Sequence, residues 1–134
     1  MKSRNIHGEW SISFENRILH CVGSGAFNAE ASAAFFQEVK NTVLNSENGD
    51  SSPWVFLSDL RHWQGSSLDS WEEVDKSIEW MTKHNCVFFA LVLENKLQEY
   101  AEEKHVTDRS KHQSFFDFEQ AYQVCMDKLM EAGR

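Results

Sequence analysis

Apolar and polar residues alternate near the start of the chain, with Trp10, Ile12 and Phe14 separated by Ser11 and Ser13. That two-residue period marks a half-buried strand. Glu15-Asn16 offers a turn and Ile18 to Val22 resumes the extended pattern, so the chain is expected to open on a β-hairpin. Gly23-Ser24-Gly25 is expected to break the second strand. Asn28 suits a helix N-cap, because its side-chain oxygen can accept a free N–H of the first turn, and Phe36, Val39 and Val43 recur behind it at helical spacing. The polar stretch from Asn45 to Pro53 is expected to be the most mobile loop.

Trp54 to Leu57 is unbroken apolar sequence, the pattern of a strand covered on both faces, and predicts a strand over Trp54 to Ser58. Asp59 to Gly65 reads as the loop that follows. Leu68, Trp71, Val74, Ile78 and Met81 then recur three and four apart, with Glu72, Glu73, Asp75 and Lys76 facing away, which predicts an amphipathic helix ending near His84-Asn85. Cys86 to Leu93 supplies a central strand of apolar, mostly strand-forming residues. Asn95 suits the cap of a short charged helix presenting Leu97, Tyr100 and Ala101. An edge strand around Ser114 to Phe116 precedes a last helix, started by Asp117 with Gln120, in which Ala121, Val124, Cys125 and Leu129 share one side. The order ββαβαβαβα allows one hairpin and requires crossovers for the later strands. The fold class is therefore α/β: a single-domain mixed β-sheet of about five strands with four helices over residues 1–134.

The composition agrees with a packed chain: 134 residues, 41% hydrophobic and 13% aromatic, with one proline. Thirteen basic and 21 acidic side chains give a net charge of -8, which argues against nucleic acid as a partner. The longest apolar run falls far short of the roughly 20 residues of a membrane-spanning helix. "MKSRNIHGEW" has no apolar core behind its basic residues, so no secretory signal is expected and the protein is read as cytoplasmic. Cys21, Cys86 and Cys125 are odd in number and lie in apolar segments, where a reduced thiol acts as a small hydrophobe.

The element order, the Gly-rich break after the second strand and the Asp59-Leu60 pair resemble the SpoIIAA-like branch of small bacterial STAS and Sec14-type domains. The resemblance covers almost the whole chain and implies a regulatory or ligand-binding role. Phosphorylatable members carry an Asp-Ser-Ser-Gly type motif after the third strand. Asp69-Ser70 matches its first half, and Trp71 and Glu72 stand where the motif has a small residue and a glycine.

Asp59, Arg61, His62 and Trp63 follow an apolar strand at the carboxyl edge, where open α/β sheets place ligands, and Glu94 ends the next strand at the same edge. Together they offer a charged pair, an imidazole and an aromatic wall for a ligand or partner. Ser70 with Glu73 has capping-box spacing, as does Ser66 with Asp69, so either serine can start the helix, and both are candidate phosphorylation sites. Trp80 lies beside the apolar stripe of that helix as a candidate anchor for a partner. The histidines form no metal-ligand motif, and no Gly-x-Ser-x-Gly elbow, P-loop lysine or dinucleotide fingerprint occurs, so no cofactor, metal or catalytic residue is assigned. The first expectation is a non-enzymatic regulatory domain acting through the strand 3–helix 2 loop on a protein partner, a second copy of the chain being another candidate. A carrier or sensor of a small apolar or lipid-like ligand is the second, and a hydrolase outside the known motifs the third.

Overall fold

The alternation from Trp10 to Phe14 forms β1 (Glu9–Glu15), which pairs antiparallel with β2 (Ile18–Phe27) in a computed structural model that describes residues 7–133. Most of the basic stretch inspected for a targeting signal, through Ile6, lies outside the described residues. The hairpin turns on Asn16 and Arg17, both at positive φ (54° and 64°), as a two-residue loop of type I′ requires. From this turn Arg17 donates to the carbonyl oxygens of Glu47, Gly49, Ser52 and Pro53 at 2.8 to 3.2 Å. The stretch from Asn45 to Pro53, expected to be the most mobile, is therefore clasped along its backbone.

After β2 come α1 (Ala29–Leu44), β3 (Trp54–Ser66), α2 (Leu68–Lys83), β4 (Cys86–Val92), α3 (Lys96–His105), β5 (His112–Phe115) and α4 (Phe118–Ala132). The five strands lie in sequence order, with β2 to β5 parallel. Three crossovers step one way across the sheet, and crossovers of one hand put their helices on one face. Phe35, Phe36 and Val39 of α1 and Ile78 and Met81 of α2 accordingly pack on Leu19, Phe56 and Phe89, with Val106 after α3 completing that layer. On the other face Ala121 and Cys125 of α4 cover Val55, Leu57, Phe88 and Ala90. The caps at Asn28, Asn95 and Asp117 form as their residue types predict, each side chain accepting a first-turn N–H.

Three expectations are corrected. Gly23-Ser24-Gly25 does not end β2, which continues to Phe27. Asp59 to Gly65 is not a loop: β3 continues to Ser66, and Ser67 follows directly as the N-cap of α2, leaving no strand 3–helix 2 loop. Both segments are polar or Gly-rich, and both are held extended by pairing with each other, a long-range contact that overrides local composition. The pairing is irregular. Asp59 lies opposite Val22 and His62 opposite Ser24; Trp63 lies opposite Gly25 and Ser66 opposite Phe27. In each interval β3 advances three residues against two of β2, as in a bulge, and Gly25 takes the positive φ of 79° that suits glycine there. The first irregularity changes which residues face which side. Arg61 lies over Phe118 of α4, whereas Leu60 and Trp63 both face the α1–α2 side.

The third correction concerns α3, which exposes Leu97 (76%) and Tyr100 (61%) and buries the polar Gln98 and Glu102, with Ala101 half-buried between them. Irregular pairing leaves carbonyls of β3 in need of donors. The Gln98 amide donates to Leu60 O and to Trp63 O, each at 2.9 Å, and its oxygen accepts from Glu94 N at 2.6 Å. Gln98→Leu keeps the volume and strands these groups, so it is expected to destabilise the protein by about 3 kcal/mol. Urea unfolding measures the loss, and an unchanged midpoint with unaltered amide exchange in 60–66 would count against this role.

Candidate functional site

The carboxyl edge of the parallel strands is built from the end of β3, the start of α2, the β4–α3 junction and the residues after β5. Asp59 is buried and Arg61 half-exposed at the side chain; the carboxylate accepts from Arg61 N at 3.1 Å and from its guanidinium at 2.9 and 2.7 Å. Burial pushes the Asp59 carboxyl up, and the hydrogen bonds and charge of Arg61 together outweigh it, so the group titrates below its ordinary value. Arg61 in turn is held charged mainly by Asp59, with smaller contributions from Glu94 and Asp117. His20 is lowered by burial, its ring tilted against Phe118 at 5.1 Å.

The residues proposed from sequence are thus divided between the two faces. Asp59 and Arg61 form one ion pair on the α4 side, Glu94 contributes charge there from an exposed position, and His62 is exposed on the rim. Trp63 goes to the other side: it is buried at 7%, donates to Ser66 Oγ at 3.1 Å and meets Trp71 edge to face at 5.8 Å. Ser66 is half-buried at the end of β3. Ser70 does not cap α2; it is fully buried one turn in, and its hydroxyl is hydrogen-bonded to that of Ser32 on α1. The Asp69-Ser70 match to the phosphorylation motif therefore places its serine between two helices. Trp80, the other candidate anchor, is covered by His84 stacked at 4.1 Å and by Lys40 over its ring.

Beneath α3 lies a site whose polar residues were not singled out from the sequence. A cavity of about 90 Å³ lies between the sheet and helices α1 to α3, lined mainly by aromatic and aliphatic side chains such as Phe36, Phe56, Trp71 and Phe89. Ser58, Glu102 and His112 bring polarity to its wall. Glu102 is 5% exposed and paired with Arg109 at 2.9 Å; burial nevertheless lifts its carboxyl to about 7. His112 stacks flat on Phe89 at 4.5 Å and is lowered to about 4, by burial first and the Arg109 charge second. Ser58 was visible as a polar residue inside an apolar strand. Glu102 had no such signal, because its helix buries the polar side.

No potential metal site of three His, Cys, Asp or Glu side chains occurs among the described residues. The three thiols are free and buried, and burial raises all of them, Cys86 and Cys125 to about 12, which leaves them poor nucleophiles. No helix among the described residues is long and apolar enough to cross a membrane. The edge presents an ion pair and exposed apolar groups, and a small polar-dotted cavity lies in the same region.

No protein-family model and no curated protein matches the chain. Several solved structures match it in fold, the following two among them. An anti-sigma factor antagonist from Mycobacterium paratuberculosis aligns with a TM-score of 0.67 at 12% identity, over 94% of this chain and all (100%) of its own. An uncharacterized DUF3478-family protein from Shewanella loihica, described as having a SpoIIAA-like fold, aligns with a TM-score of 0.60 at 17% identity, over 93% of this chain and 98% of its own. The chain has the SpoIIAA-like fold that its element order implied.

Glu102 and His112 load the pH dependence in opposite directions. Glu102 is raised from 4.5 to about 7, so its contribution to stability is complete below pH 4.5 and is lost as pH rises through 7. His112 is lowered from 6.5 to about 4, so its contribution is complete above pH 6.5 and is lost as pH falls through 4. Glu102→Gln should make stability rise more steeply with pH between 4.5 and 6.5 than in the unaltered protein, and His112→Gln should make it fall. Each change is expected to be on the order of 1–3 kcal/mol. Urea midpoints across this range check the signs, and three parallel profiles would overturn both assignments.

Proposed function

We propose that the protein is a non-enzymatic binding domain that regulates a partner protein through the carboxyl edge of its sheet. The observation that carries this reading is the placement of exposed apolar side chains. Leu68 (77%), Leu97 (76%), Tyr100 (61%) and Phe116 (46%) lie shortly after the ends of β3, β4 and β5, which end on the same side of the sheet because these strands are parallel. Among the described residues the other two large exposed apolar ones, Leu44 and Met130, lie at or near the last turns of α1 and α4. A concentration of apolar surface beside polar and charged groups is the anatomy of a protein contact, and Arg61 and Glu94 supply charge and His62 a polar ring around it.

The fold is compatible with such a role, since one neighbour is by name an anti-sigma factor antagonist. The buried, raised thiols support a non-enzymatic reading. Of the two serines proposed for phosphorylation, half-buried Ser66 needs less rearrangement than Ser70. A phosphoryl group there would meet the N-terminal N–H groups of α2, with Asp69 and Glu72 opposing it. The small-ligand reading draws on the cavity, whose volume of about 90 Å³ is far below the several hundred Å³ of pockets for drug-sized ligands.

A photo-crosslinking residue placed at Leu68 or Leu97, in the cells that make the protein, is expected to capture the same protein from both positions. The same residue at Met130 is expected to capture none. An adduct of twice the chain's mass would replace the partner with a second copy, and no adduct, or an equal yield at Met130, would overturn the proposed surface.

A further inference from the structure

The sheet face beneath α3 carries more hydrogen-bonding capacity than the fold uses. Register places Phe56, Phe89 and His112 in one row across β3, β4 and β5, and Ser58, Leu91 and Ser114 in the next. Ser58 is 5% exposed and lines the cavity, and its hydroxyl has no protein partner among the described residues. His112 Nδ1 and Ser114 Oγ, in the same two rows, are also buried and unpartnered. Burying several such groups without partners is unfavourable, and folded proteins normally satisfy them with protein, water or ligand.

We propose that this cavity binds a small neutral molecule with an apolar body and a single hydroxyl, recognised by Ser58. The aromatic and aliphatic wall selects the apolar body. A hydroxyl matches Ser58 because each can donate and accept. Neutrality follows from Glu102: its carboxylate is already paired with Arg109, so a charged ligand would enter without a counter-ion of its own. Size follows from volume. An apolar cavity of about 150 Å³ takes benzene, so 90 Å³ in proportion suits a molecule of about four non-hydrogen atoms. A lipid chain is excluded on the same ground. The site lies beneath α3, apart from the exposed residues of the proposed partner surface.

Propan-2-ol titrated into the isotope-labelled full chain tests this, with dissolved propane as the hydrocarbon control. Saturable shifts are expected at the amides of Ser58, Phe89 and Leu91, with propan-2-ol binding more tightly than propane. Ser58→Ala should weaken the alcohol about fivefold and leave the hydrocarbon unchanged. If that variant does not fold, Ser58→Cys, of similar shape and weaker hydrogen bonding, gives the same reading. Val74→Phe, which fills the cavity from α2, should block both probes. Equal affinities for alcohol and hydrocarbon, unchanged alcohol affinity in the Ser58 variant, or only unsaturable shifts on the outer surface would overturn the proposal.

Discussion

The side-chain amide of Gln98 bonds to Leu60 O and Trp63 O of β3 and to Glu94 N at the end of β4. These groups need it because β3 carries extra residues against β2, and strand pairing alone does not supply every donor at the irregularity. Satisfying them turns the polar side of α3 inward, and Glu102, one turn later, follows Gln98 into the interior. The same rotation sends Leu97 and Tyr100 outward. One amide thus fixes both the polarity of the cavity wall and the apolar character of the outer edge.

The irregularity that creates this demand also separates the charges from the aromatics. Had β3 stayed in register, Asp59, Arg61 and Trp63 would all have faced α4, as residues two apart do in a regular strand. The extra residue leaves the ion pair beside Phe118 and sends Trp63 to Trp71 on the opposite face. His105 then stacks on Trp71 at 4.9 Å, and Asp75 accepts from the backbone and hydroxyl of Thr107, so α2 is joined to both ends of the turn that leaves α3. Protein interiors resist sliding of such interlocked rings, which fixes the relation between the two helices.

Much of the frame was legible because it rests on periodicity. Trp10, Ile12 and Phe14 declare a strand, Leu68 to Met81 a helix, and Asn28, Asn95 and Asp117 their caps, from local chemistry alone. The extension of β3 through Leu60 to Ser66 was not legible, since a polar segment becomes a strand there only by pairing with the end of β2. Ser70 illustrates the same limit: its spacing to Glu73 fits a capping box, but the strand's extension lets Ser67 take the cap and carries Ser70 inward to Ser32. At the candidate site, Asp59 and Arg61 could be read as a pair because they are close in sequence. Glu102 and His112 could not, because a buried polar helix face reverses the pattern from which burial is inferred.

Arg17 sets a different constraint at the opposite end of the sheet. Its guanidinium engages four carbonyls between Glu47 and Pro53, a segment whose Ser, Asn, Gly and Asp content looks like freely variable connecting chain. Each bond depends on where the backbone lies and on no side chain of the segment. Away from Asn48 and Gly49, whose positive φ restricts the residue type, substitutions there should be tolerated better than changes of length, so homologues that keep an arginine in the hairpin turn should vary in the spelling of this segment and hold its residue count.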